Sequence, residues 1–356
     1  MVFLCVGTPP RAGGEANMLA VERSAESIAR HATGPVVVVE KSTAPAGSAE
    51  RLEKILERNN DSASFLVVSN PEFLREGSAV EDSLNPGRIL VGSDSAEALE
   101  IMRRLYEPLI DSGVTWITTD LRTAELAKHA CNAFLALKIS YINALARLCE
   151  RAGADVEAVA DVMGADPRIG RAFLNAGLGY GGSCFPKDLA AFERLAVRLG
   201  YDFPILREIK RINEEVLEAV FAKVEDAMWN LEEKRVALLG LAFKPGTDDV
   251  RFAPALALAG RLINAGALVI GYDPVVGANA KDEMPKLALV NDVYEALEGA
   301  HCAVLCTEWN EFLSLDLALA KEKMASPILI DGRNFLNSDS AIEAGLTYIG
   351  MGRPLI

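Results

Sequence analysis

The chain has 356 residues, enough for two or three cores, because a single core stops growing near about 250 to 300 residues. Half of its residues are apolar and 24% are charged, and no uninterrupted apolar run approaches the roughly 20 residues of a membrane span, which argues against an integral membrane protein. A formal net charge of -14, with no Lys/Arg cluster to offset it, repels phosphate backbones and disfavours a nucleic-acid partner.

The opening Met-Val-Phe-Leu-Cys-Val-Gly-Thr-Pro-Pro has no basic start and no long hydrophobic region, so it reads as the first strand and turn of a cytoplasmic protein rather than a signal peptide. Short β-branched runs then alternate with amphipathic stretches, at Val2 to Val6, Val36 to Val39, Phe65 to Val68 and Ile89 to Val91. This is the βαβ rhythm of a parallel sheet. From Leu121 to about Gly153 apolar residues recur at spacings of three and four without a proline, predicting one long helix, and further helices follow to about Trp229. At Lys234 the βαβ rhythm resumes: strands at Arg235 to Leu239, Ala267 to Tyr272, Ala303 to Cys306 and Ile328 to Asp331, and a helix at Ala253 to Ala265. The expected fold is therefore α/β, with two Rossmann-like parallel-sheet lobes joined by a helical middle. We place the N-terminal lobe at residues 1–119, the helical domain at 120–229 and the C-terminal lobe at 230–356.

A Rossmann lobe carries G-x-G-x-x-G at its first turn, where glycines let the backbone approach a pyrophosphate at a helix N-terminus. No such motif precedes Val2, so the N-terminal lobe reads as incomplete, the second half of such a domain. Val236-Ala-Leu-Leu-Gly-Leu-Ala-Phe-Lys244 has one glycine after a strand and lacks the other two, and is read as a structural turn with a role in binding the nucleotide sugar rather than NAD.

Six cysteines without a CxxC pair and three histidines make a metal site hard to build, and none is expected. Most of the cysteines read as small buried hydrophobes. Cys184 differs. It lies in Gly177-Leu-Gly-Tyr-Gly-Gly-Ser-Cys-Phe-Pro-Lys-Asp188, where Pro186 suits a first helical position and places Cys184 just outside a helix N-terminus. The helix dipole and Lys187 there favour a thiolate nucleophile, and Asp188 can order or deprotonate a water. A glycine-rich turn with an unreactive cysteine is the alternative. Lys128 and Asn132, four apart, share a helix face and can hold an oxyanion, or they are a solvated face. Glu72 and Glu76 follow a strand end, where α/β sheets bind ligands, or they serve as caps and surface charge.

Along essentially the whole chain these segments resemble the UDP-glucose/GDP-mannose dehydrogenase family. The matching motifs are Val6-Gly-Thr-Pro-Pro10, Glu40-Lys-Ser-Thr43, Asn70-Pro-Glu-Phe-Leu74, Glu125 to Leu135, Arg168-Ile-Gly170, the cysteine segment, Gly240 to Arg251, Tyr272-Asp-Pro274, Thr307-Glu-Trp309 and Asp331-Gly-Arg333.

The resemblance implies NAD-dependent, two-step oxidation of a nucleotide sugar's primary alcohol to a carboxylate. Cys184 would be the nucleophile, Lys128 and Asn132 the oxyanion holders, Asp188 the residue that orders water, Glu72 the base for thioester hydrolysis, and Thr43 a positioner near the nicotinamide. It implies a nucleotide-sugar site between the helical middle and the C-terminal lobe, touched by Phe73, Leu74, Tyr180, Gly181, Phe243, Lys244 and Arg333. It also implies a cofactor side formed by Thr8, Pro9, Ser42, Glu76, Lys187 and Arg251. Arg168 would reach the partner subunit's site in a homodimer built on the long helix. UDP-glucose is the expected substrate and GDP-mannose the runner-up. The missing glycine fingerprint leaves a third expectation, a nucleotide-sugar-binding chain that does not itself turn over NAD.

Overall fold

The computed structural model describes residues 1–354, which divide into two compact units, one of residues 1–134 and 187–206, the other of residues 135–186 and 207–354. The first unit carries a sheet of β1 (Val2–Leu4), β2 (Val36–Glu40), β3 (Phe65–Ser69), β4 (Arg88–Gly92) and β5 (Thr115–Thr119), in that spatial order. Its helices are α1 (Leu19–His31), α2 (Ser48–Asn59), α3 (Ala79–Leu84), α4 (Ala96–Leu105) and α5 (Glu107–Asp111). Both sheet faces are covered, which is why the strands read as unbroken apolar runs. Val38 and Val67 pack with Val21, Ala25, Leu52 and Leu56 of α1 and α2, whereas Val37, Val39 and Val68 point the other way, into a core with Ala98 and Met102 of α4.

Strands β1, β2 and β3 run parallel, as do β4 and β5, but β3 meets β4 antiparallel through Ser69 and Gly92. The segment 70–87 returns the chain to the end of the sheet it left, which reverses β4. The βαβ rhythm alone did not reveal this reversal.

The long helix α6 (Leu121–Ala152) has the predicted extent, and α7 (Val156–Ala165), α8 (Cys184–Arg198) and α9 (Pro204–Met228) follow it. The second unit holds a six-stranded parallel sheet ordered β11-β10-β9-β6-β7-β8. These strands are β6 (Arg235–Leu239), β7 (Leu268–Tyr272), β8 (Ala288–Leu289), β9 (Cys302–Leu305), β10 (Ile328–Asp331) and β11 (Thr347–Gly350), connected through α10 (Pro254–Asn264), α11 (Ala278–Glu283), α12 (Val293–Leu297), α13 (Leu317–Lys323) and α14 (Ser338–Glu343). Val236, Leu238, Val304 and Ile330 share one core with Ile142 and Ala146 of α6 and Val220 and Val224 of α9. Ala237, Leu239, Ala303, Leu305 and Leu329 face a second core under α12 and α13.

Candidate active site

In the first unit the loops after β1 and β2 are laced together at the C-terminal rim of the sheet. The Ser42 hydroxyl lies 2.7 Å from the Val6 carbonyl and 3.1 Å from that of Leu4, and the Thr8 hydroxyl donates to the Thr43 carbonyl at 2.9 Å. Thr8 is buried, Ser42 and Thr43 are half-buried and Pro9 is exposed. The second loop is pinned from below: the Glu125 carboxylate of α6 accepts the backbone N–H groups of Gly47 at 2.6 Å and Ala49 at 2.7 Å, at the start of α2. Beside it sits Glu40, 1% exposed, its carboxyl facing that of Glu125. Burial, and then the charge of Glu125, push the Glu40 carboxyl well above its ordinary range, and burial raises Glu125 as well, so the pair favours sharing a proton. His129, also buried, donates Nε2–H to the Ala44 carbonyl at 3.2 Å, and burial lowers its pKa and keeps it neutral.

Next along the rim, Asn70 opens the turn that carries Glu72. Its side chain is engaged at both ends: Nδ2 donates to the Leu90 carbonyl at 2.7 Å, and Oδ1 accepts Lys41 Nζ at 3.0 Å and the Tyr106 hydroxyl at 2.7 Å. Glu72 is held at both oxygens, by Lys128 Nζ at 3.1 Å and by the Leu74 N–H at 2.6 Å. Phe73 is flanked by two cations, with Arg88 stacked 3.9 Å from its ring centroid and Lys128 Nζ at 5.2 Å. Lys128 and Asn132 are 4% and 7% exposed, so the solvated-face alternative is corrected: α6 turns this pair inward. Asn132 Nδ2 donates to Asp188 Oδ2 at 2.6 Å, and Lys187 Nζ reaches Asp188 Oδ1 at 2.7 Å. Asp188, 2% exposed, is thus held between Asn132 and Lys187. Glu76 is half-buried.

In the second unit the glycine segment is clamped by two asparagines. Asn143 of α6 accepts the Gly177 N–H at 2.9 Å, and Asn213 of α9 pairs with the Tyr180 backbone at 2.8 and 3.1 Å. Gly182 has φ +77°, and a Cβ there would lie 2.7 Å from the Phe243 ring, so this position requires glycine. Tyr180 is buried, and burial drives its phenol upward; it meets Phe185 edge-to-face at 5.9 Å. Cys184 is exposed and is itself the first residue of α8. The helix thus begins two residues earlier than Pro186 implied, and that proline still sits in the first turn, where a missing N–H is harmless. Cys149, Cys302 and Cys306 are buried, and burial pushes the Cys306 thiol up to about 12, whereas Cys5 is exposed and Cys131 half-buried, fewer buried thiols than the sequence implied.

Arg333 is half-buried, with Nε 2.7 Å from the Cys306 carbonyl, Nη1 3.4 Å from that of Gly179 and Nη2 3.5 Å from that of Phe243. It joins the glycine segment to the turn after β6. Lys244 Nζ lies 5.5 Å from the Phe243 ring centroid, and Gly181 is buried against the Phe252 backbone. Arg168 and Arg251 are exposed, paired with Asp166 at 2.5 Å and Asp249 at 2.7 Å. At Gly240 the expected structural turn is present: the amides of Leu241 and Ala242 both donate to Asp273 Oδ2, at 2.7 and 3.0 Å.

Residues 1–110 match the NAD binding domain of the UDP-glucose/GDP-mannose dehydrogenase family, residues 122–215 its central domain and residues 237–338 its UDP binding domain. The chain belongs to that family. A UDP-glucose 6-dehydrogenase of Rhizobium meliloti is 44% identical over 99% of the chain and 82% of its own length. The corresponding values for a UDP-glucose 6-dehydrogenase of Bacillus subtilis, TuaD, are 41%, 100% and 77%. A UDP-glucose dehydrogenase structure from Pyrobaculum islandicum is 35% identical and superposes with a TM-score of 0.90 over 99% of the chain and 79% of that structure.

NAD is the cofactor of this family, and the rim of the first sheet fits one end of it: adjacent parallel-strand ends present Thr8, Ser42 and Thr43 on a braced double loop. Glu40 and Lys41 entered the sequence reading only as part of the Glu40-Lys-Ser-Thr43 motif, with no role given, and Arg88 and Tyr106 did not enter it. A charged pair, Glu40-Lys41, closing a buried valine run was the available signal, since strands buried on both faces end in ionisable residues at a cost.

Proposed function

We propose that this protein oxidises UDP-glucose to UDP-glucuronate with two NAD, through a covalent intermediate on Cys184. NAD, when bound, would supply the hydride acceptor for each oxidation. Lys128 and Asn132 hold the oxygen of the alcohol and then of the aldehyde as charge develops on it. Cys184, at the positive end of the α8 dipole, adds its sulfur to the aldehyde carbon and carries the thioester that the second oxidation leaves. Asp188 fixes Asn132, Thr43 places the reacting alcohol and later the water, and Glu72 takes a proton from that water as it attacks the thioester, releasing the carboxylate and the thiol. Phe73, Leu74, Tyr180, Gly181, Phe243, Lys244 and Arg333 contact the nucleotide sugar. Thr8, Pro9, Ser42, Glu76, Lys187 and Arg251 contact the cofactor.

The observation that carries this reading is a lysine and an amide buried four residues apart on α6, with the amide tied to a carboxylate one turn into the helix that Cys184 begins. The nucleotide sugar is taken as UDP-glucose because the relatives at 41–44% identity are UDP-glucose 6-dehydrogenases.

Residues 1–119, 120–229 and 230–356 serve as cofactor, central and UDP-sugar domains. The functional form is a homodimer: along α6 the exposed Phe134, Tyr141 and Leu148 recur every seven residues, the spacing of a helix seam. Arg168 extends towards the partner subunit's site. The enzyme works in the cytoplasm, where its six unpaired cysteines stay reduced.

The test has two arms. In the native enzyme, Cys184→Ser should form no uronic acid from UDP-glucose and NAD, because no neighbouring base activates the serine. UDP-glucose 6-aldehyde should protect Cys184 from iodoacetamide. Full acid production by the variant, or alkylation unaffected by the aldehyde, would remove Cys184 from the reaction.

A further inference from the structure

Lys41 lies between the end of β2 and Ser42, and no role follows for it from the chemistry above. Its ammonium is half-buried and donates to Asn70 Oδ1 at 3.0 Å, the same oxygen that takes the Tyr106 hydroxyl. Asn70, 1% exposed, is the residue from which the turn to Glu72 and Phe73 departs, and its other side-chain group is committed to the Leu90 carbonyl. Together with Glu72, Phe73, Arg88 and Tyr106, Lys41 lines a cavity of about 400 Å³ within the first unit. A lysine that anchors the first residue of a turn and shares a cavity with a carboxylate two residues further on acts on that carboxylate in two ways. It fixes the backbone that aims it, and it adds a positive charge to the one that Lys128 supplies.

We propose that Lys41 is a positioning residue for Glu72: through Asn70 it holds the Asn70–Leu74 turn, and it keeps a second ammonium beside the Glu72 carboxylate. This rests on the reading of Glu72 as the base of the hydrolytic step.

The charged and titratable groups around Lys41 set how this support varies with pH. Burial lowers the Lys41 pKa to about 8, with Lys128 adding to the depression, while Glu72 and Cys5 oppose it; Tyr106 presents its ring 5.9 Å away and its hydroxyl to Asn70. Lys41 is therefore charged below about 8 and loses its proton as the pH rises through that value. The second cation beside Glu72 is present on the acid side and lost on the alkaline side.

Two measurements on the native enzyme test this. In the first, kcat for UDP-glucose oxidation is followed against pH. Wild type should show an alkaline decline centred near 8, and Lys41→Arg, which keeps its charge, should lose that decline while retaining activity below it. Lys41→Met should lower kcat by about tenfold below the decline, as expected when a general base loses the anchor that aims it, with KM for the nucleotide sugar little changed. An alkaline limb that persists in Lys41→Arg would overturn the role. In the second, competitive acetylation of Lys41 by acetic anhydride, read by peptide mass spectrometry, should give a midpoint near 8 in wild type and a lower one in Glu72→Gln, because the Glu72 charge is among the interactions holding it up. Equal midpoints would show the two groups uncoupled. Acetylation needs no turnover, so a failure of the UDP-glucose reading and a failure of this proposal are told apart.

Discussion

Replacing Glu40 with glutamine should make the protein more stable at neutral pH, although it removes a charged residue from the core. The folded chain holds a proton on Glu40 because burial and the neighbouring Glu125 disfavour its charge, whereas the unfolded chain releases that proton near 4.5. The native state thus binds one more proton than the unfolded state across the window that opens at 4.5 and closes at the raised native value. A group raised in this way contributes its full stability below the window and loses it as the pH climbs. The slope for one proton is about 1.4 kcal/mol per pH unit inside the window. Glutamine keeps an N–H donor for the Glu125 carboxylate, which still accepts the Gly47 and Ala49 amides, and it has no proton to lose. Urea unfolding of both proteins from pH 4.5 upward should give wild-type stabilities that fall away from those of the variant at about that slope. Parallel curves, or a variant less stable at every pH, would refute the shared proton.

Arg333→Ala should weaken UDP binding, measured by calorimetry, by about tenfold or more, the range expected for a charge-assisted hydrogen bond. Unchanged affinity would take Arg333 out of the nucleotide site. Leu148→Asp, at a side chain 59% exposed on α6, should leave the fold intact and convert a dimer to monomers in sedimentation; an unchanged sedimentation coefficient would move the interface elsewhere.

Strands that bury both faces were legible because each is an unbroken β-branched run, as in Val36 to Val39, and α6 was legible because its periodicity has no proline or glycine to interrupt it. The exposed edge strand β5 was not, since Thr-Trp-Ile-Thr-Thr mixes polar and apolar residues without a buried face to impose alternation. Nor was the reversal of β4, because strand direction depends on where the 70–87 segment returns the chain and leaves no trace in hydropathy. Among the site residues, types and spacings marked Cys184, Lys128, Asn132 and Glu72, but not their partners. The Lys41–Asn70–Tyr106 bonds link positions 29 and 36 apart in sequence, and Glu40 meets Glu125 across 85 residues; one sequence alone does not pair such distant positions.

The capped turn at Gly240 bears on how a repeated architecture avoids confusing its ligands. Leu241 and Ala242 offer the same pair of backbone donors, after the same kind of strand, that elsewhere cradles a pyrophosphate. Asp273 already occupies them, and its other oxygen takes the amides of Val275 and Val276. A phosphate arriving there would have to displace a tethered anion whose local concentration no free ligand matches. The second sheet thus plugs its own dinucleotide cradle with a carboxylate from the next strand, and discrimination at that turn is settled before any ligand arrives.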